Sequence, residues 1–165
     1  MFNLTHIMKK LFLLTAFIFL FSAGFSQTPL YRYYNGKQKK HYYTIDFNEF
    51  GNGRNGWGYE GVTCQVFTDA DRSRGIVPVY RFVDRQSNDH YYNVRQHIAR
   101  VDLRGYSYEG PVFTIAKFKS DGMVPLFEYY NERTGDHFYT ADKHELGRGY
   151  EGYHFDEVVG FVLRK

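Results

Sequence analysis

The sequence predicts an all-β chain with short helical turns, closed as one pseudo-threefold, β-trefoil-like domain. Two observations lead there: a motif repeated at fixed spacing and alternating aromatic runs of strand length. The repeated stretches are KKHYYTI at 39–45, NDHYYNV at 88–94 and GDHFYTA at 135–141, with His41, His90 and His137 in register. A proline opens an aromatic run twelve residues before each histidine (Pro29-LYRYY, Pro78-VYRF, Pro125-LFEYY), and Gly56, Gly105 and Gly152 follow fifteen residues after. Identical internal spacing identifies copies of one structural unit. The units span 29–77, 78–124 and 125–165, within a domain covering 27–165.

The elements follow in chain order. Residues 1–26 have a signal-peptide pattern: Lys9 and Lys10, the apolar run LFLLTAFIFLF, then the small-residue stretch SAGFSQ. The run is shorter than the roughly 20 residues that span a bilayer. Cleavage is expected after Ser26, with Gly24 and Ser26 as the small flanking residues, and Met8 opens a more ordinary signal than Met1 does. No cysteine follows to take a lipid anchor. The chain is therefore expected to be secreted, extracellular or periplasmic, with no stable membrane anchor.

Each unit then reads as a hairpin. LYRYYN alternates, placing Tyr31 and Tyr33 on one face and Leu30, Arg32 and Tyr34 on the other. The polar turns NGKQKK, DRQSND and NERTGD lead into the return strands HYYTI, HYYNV and HFYTA. Short helical segments are expected in DFNEFGNG, RQHIARVDLRG and DKHELGRG, the last capped by Asp142 and ended by Gly147. A final strand follows in YEGVTCQVF, YEGPVFTIAKF and FDEVVGFVL, with Gly61 and Gly110 marking a bulge or tight bend. Three such units are too few for an ordinary propeller and carry too little helix for a solenoid, and a closed threefold arrangement hides strand edges.

Composition narrows the function. Without residues 1–26 the chain loses two of its 21 basic residues and none of its 18 acids, which leaves 19 against 18. A nucleic-acid partner has no electrostatic footprint there. Cys64, in VTCQVF, allows no internal disulfide and is expected to be a buried, inert thiol. No cofactor motif occurs, and neither does a nucleophile elbow or a phosphate-binding loop. TDADRSRG at 68–75 lacks the acid spacing of a calcium loop and is read as a joint.

These residues resemble a tyrosine-rich secreted repeat domain of unknown function, over 29–163. The signatures are PLYRYYN, DHFYT and GYSYEG with their variants. The resemblance implies an extracellular accessory or binding module and brings no established site residues. Copy one departs from the pattern with Lys40 in place of Asp89 and Asp136, and copy three with Phe155-Asp156-Glu157.

Two sets of repeated residues are expected to be structural. His41, His90 and His137 are each expected to tie a strand to a turn in its own unit; metal binding would require all three to converge. Glu60, Glu109 and Asp156 recur once per unit, with Arg32 and Arg81 as partners for the first two and Glu128 breaking the pattern in the third. Tyr34, Tyr42, Trp57, Tyr91, Tyr130 and Tyr139 are the ligand-binding candidates, because two aromatic faces per hairpin exceed what one interior takes in. The function expected is a non-catalytic binding module for carbohydrate or a cell-envelope glycan, with one groove per unit. Two alternatives stand beside it. One is a small secreted hydrolase using His and Asp or Glu; the other is a protein-interaction or adhesin domain using the joints 68–77 and 118–124 or the basic turn 36–40.

Overall fold

Each unit pairs its opening strand with two partners, the return strand on one side and the long closing strand on the other. A computed structural model describes residues 26–96 and 105–165. The expected signal peptide lies outside these except for Ser26, as do His97 and most of the second unit's expected helical segment. The first unit holds β1 (Gln27–Asn35), β2 (Lys40–Thr44), the two-residue β3 (Gly53–Arg54) and β4 (Trp57–Phe67). The second holds β5 (Ile76–Asp84), β6 (Asp89–Asn93) and β7 (Tyr106–Ala116). The third holds β8 (Met123–Asn131), β9 (Asp136–Thr140), the short helix α1 (Lys143–Leu146) and β10 (His154–Leu163). The all-β class holds, with all pairings antiparallel.

Registers match between units. Tyr33 faces Tyr42, Phe82 faces Tyr91 and Tyr129 faces Phe138 across the three hairpins. The units join through their closing strands: Leu163 of β10 pairs with Gln65 of β4, Phe161 of β10 with Ala116 of β7, and Phe67 of β4 with Thr114 of β7. The helical turns are short. Asp46 caps a 3-10 turn at Phe47–Glu49, and Asp142 caps α1, whose end falls at Gly147 as its sequence predicts. The joint at 68–75 contains a 3-10 turn at Arg72–Arg74, capped by Asp71. Among the described residues no helix is long and apolar enough to cross a membrane.

One central core draws on all three units, including Leu30, Tyr43 and Val66, then Val79, Tyr92 and Ile115, then Leu126, Tyr139 and Val162. Cys64 is buried in it, and burial pushes its thiol up to about 12, so it stays protonated. At the centre the rings of Tyr43, Tyr92 and Tyr139 meet edge to face at 5.3–5.5 Å. Their hydroxyls cap the open edges of the return strands. Tyr43 Oη accepts from the Tyr139 amide, Tyr92 Oη from the Tyr43 amide and Tyr139 Oη from the Tyr92 amide. Side chains here take the place of a neighbouring strand, which is how three short edge strands end at a common centre.

Candidate binding site between the first and third units

The repeated histidines reach across the seams between units, which corrects the expectation that each stays within its own. His41 Nδ1 lies 2.6 Å from Asp136 Oδ2, and the His41 amide donates to Asp136 Oδ1 at 2.7 Å. His137 Nδ1 lies 2.7 Å from Asp89 Oδ2 in the second unit. Each imidazole also packs on an aromatic of another unit: His41 on Phe138, His90 on Tyr42 and His137 on Tyr91. The three rings thus occupy different seams. Among the described residues no cluster of three or more His, Cys, Asp or Glu is placed to hold a metal.

The departure at Lys40 removes one carboxylate from this ring of contacts. Lys40 is buried and donates to the carbonyls of Thr134 and Gly135, both at 2.6 Å, with Asp89 at 3.8 Å. His90 therefore lacks the carboxylate that orients the other two histidines. Burial, then the Arg81 guanidinium, push its imidazole down from 6.5 to about 4. Between those values the unfolded chain binds a proton that the folded chain excludes, so stability from this group is present above pH 6.5 and lost toward pH 4. His90→Gln is expected to remove that loss, about 3 kcal/mol over the interval. Urea titrations at both ends of the interval check it, and an unchanged slope would contradict the assignment.

The seam between the first and third units is built around Arg32. Two β-bulges in β4 leave Glu60 and Thr63 as extra residues opposite β1, with Gly61 at φ 120° between them. A bulge re-aims side chains, and this one turns Glu60 back over the opening strand. Arg32 Nε stands 2.9 Å from Glu60 Oε2, and Arg32 Nη2 donates to Glu145 Oε1 of α1 at 2.7 Å. The guanidinium also covers the Phe138 ring at 4.6 Å. In the second unit Arg81 repeats the arrangement with Glu109 at 2.6 Å and the Tyr42 ring at 4.8 Å. The third unit has Glu128 instead. It is fully buried, and burial followed by Glu157 and Asp156 raises its carboxyl well above the usual range. Asp156 is exposed and, unlike Glu60 and Glu109, has no arginine in the equivalent place.

Two clefts open on this seam. One, of about 690 Å³, is lined by Thr63, Thr140, Asp142, His144, Arg164 and Lys165 among others; the second, of about 580 Å³, by Tyr34, Lys39, His41, Asn131, Arg133 and Tyr153 among others. Arg32, Glu60 and Glu145 belong to both. Burial opposes ionisation of Glu60 and Glu145. Hydrogen bonding from His41 and Arg32 to the first, and from Arg32 and Thr140 to the second, outweighs it, so both carboxyls lie below the ordinary value. The buried hydroxyls of Thr63 and Thr134, one in each lining, have no protein hydrogen-bond partner.

The aromatic candidates divide. Tyr42 and Tyr91 are 6 % exposed, Trp57 8 % and Tyr139 2 %, so these four are interior residues and not surface platforms. They were expected outside because one interior seemed too small for two aromatic faces; the inter-unit seams bury the second face. Tyr34 and Tyr130 are half-buried, their rings in tilted contact with His41 and His137 at 4.7 and 4.6 Å, and Tyr34 lines the smaller cleft. Among the described residues the exposed aromatics are Tyr108, Phe118, Tyr150 and Phe155, none of them one of the six ligand-binding candidates. Glu145 was missed too. Its signal is that Glu49 and Glu145 both stand eight residues after their unit's histidine.

No curated protein and no solved structure matches the chain at a significant level. Residues 29–163 match a protein family over nearly the whole repeated region, and the chain therefore belongs to the family described as Domain of unknown function (DUF5648).

Proposed function

We propose that the protein is a secreted, non-catalytic module that binds a carbohydrate or cell-envelope glycan along the seam between its first and third units. The observation that carries this reading is the pair of adjoining clefts. They combine a half-buried tyrosine, ionised carboxylates and a guanidinium, the mixture of ring surface and hydrogen-bonding groups that a sugar needs. Secretion rests on the signal-like pattern of residues 1–26. The same reading takes the units as a pseudo-threefold, β-trefoil-like closure, supported by the mutual bridging of β4, β7 and β10 and by the central tyrosines. It differs from an ordinary trefoil in that each unit is built on two long strands and a five-residue return strand.

The hydrolase alternative is weakened by Arg32. Glycoside hydrolysis needs one protonated carboxyl with a raised pKa, whereas Glu60 and Glu145 are both held ionised. A protein-interaction role has one observation in its favour, Phe118, 67 % exposed in the joint at 118–124.

A glycan array followed by calorimetry tests the proposal. Tyr34→Ala and Glu145→Gln are each expected to lower affinity for the best array ligand by roughly tenfold, about 1.4 kcal/mol, with the fold retained by circular dichroism. A folded protein that binds no glycan, or whose two variants bind as tightly as the unaltered protein, would sink it.

A further inference from the structure

The two clefts share Arg32, Glu60 and Glu145 and so form one groove along the seam, with cations at both ends. Lys39 and Arg133 stand at the Tyr34 end, and Arg164 and Lys165 at the other. The groove's carboxylates are mostly engaged. Glu60 and Glu145 hold Arg32, and Asp142 accepts the His144 amide at 2.9 Å. Glu151 is the remaining acid of the lining, and Arg133 donates to its backbone carbonyl at 2.9 Å.

Lys39 adds a second observation. It is held at φ 56°, in the left-handed region, at the turn position that the second and third units give to Asn88 and Gly135. Asparagine and glycine enter that region readily, whereas a lysine there is strained. Its amide bonds the Asn35 carbonyl at 2.7 Å, which fixes the turn, and Lys39 is part of the smaller cleft's lining. A long cationic side chain kept at a strained position, where sister units use suited residues, points to function over folding.

We propose that the groove takes an acidic glycan, a sugar chain bearing carboxylates, with a sugar ring against Tyr34 and a carboxylate between Lys39 and Arg133. The planar fork of Arg133 suits a carboxylate, and Lys39 adds a point charge. This rests on the glycan-binding reading above and narrows its ligand class.

The test compares oligogalacturonate and oligomannuronate with their methyl esters, which keep the sugar chain and lose the charge. The acids are expected to bind at least roughly tenfold more tightly than the esters in about 50 mM salt, the gap narrowing as salt screens the charges. Lys39→Asn is expected to weaken acid binding roughly threefold to fivefold without lowering the thermal midpoint, since asparagine suits the turn. Equal binding of acids and esters, or binding of neutral glycans only, would overturn the acidic class and leave the glycan reading standing. Stronger binding of a sulfated chain than of the uronates would overturn the carboxylate assignment. Absence of binding to any glycan, charged or neutral, would overturn both.

Discussion

Replacing Asp136 with alanine is expected to lower the stability of the domain by about 3–5 kcal/mol. The carboxylate is fully buried and serves three donors: the His41 amide at 2.7 Å, His41 Nδ1 at 2.6 Å and the Tyr153 hydroxyl at 2.5 Å. Alanine leaves all three without an acceptor at the join of the first and third units. Burial draws the His41 imidazole toward its neutral form, but its hydrogen bonds to the Asp136 and Glu60 carboxylates outweigh it and raise its pKa. The variant therefore also removes the main partner of a histidine that carries positive charge more readily than usual. Urea denaturation checks the figure, with Glu132→Ala on the exposed turn as a control that should shift by less than about 0.5 kcal/mol. A loss below about 1.5 kcal/mol would mean that the seam does not depend on this contact.

Tyr92→Phe is expected to cost roughly 2–5 kcal/mol, although it removes a single oxygen. That hydroxyl accepts the Tyr43 amide at 2.9 Å and donates to the Tyr43 carbonyl at 3.1 Å, so phenylalanine leaves two buried backbone groups unpaired while preserving the ring packing. The usual penalty for one such group is about 1–3 kcal/mol. Tyr150→Phe, on a side chain 63 % exposed, supplies the contrast and should change stability by less than about 0.5 kcal/mol. If the two variants denature alike, the central tyrosines are packing residues only.

The hairpins were legible because their spacing is local. Proline, histidine and glycine recur at fixed intervals, and the alternation of LYRYYN and its sisters reports a strand directly. Gly61 was readable as a bulge for the same reason, since no other residue sits comfortably at φ 120°. The seams were not legible. His41 and Asp136 are 95 residues apart in sequence, and nothing in either stretch indicates that one serves the other. Period-2 alternation says which side chains share a face, but not whether both faces are covered. All five residues of β2, β6 and β9 are buried, and that misplaced Tyr42, Tyr91 and Tyr139. Each of these segments (KHYYT, DHYYN, DHFYT) carries polar residues at both ends and is no continuous apolar run, so its sequence does not report burial on both sides.

The groove was half legible. The equivalence of Arg32 with Arg81, and of Glu60 with Glu109, suggested the ion pairs seen at 2.9 and 2.6 Å. The second carboxylate on Arg32 comes from α1, and only folding brings Glu145 to the first unit. The copies that depart from the pattern mark unequal seams: Lys40 where the other units place Asp89 and Asp136, Glu128 where an arginine stands elsewhere, and Lys39 at a left-handed turn.

The central claim is that repeated residues fasten the units while ligand binding belongs to the seam between the first and third. Backbone amide shifts followed by NMR during titration with the best-binding glycan test it most directly. The account predicts saturable changes confined to residues 32–41, 60–63, 131–146, 151–153 and 164–165. Changes centred on Tyr108 or Phe118, or no changes at ligand excess, would contradict it.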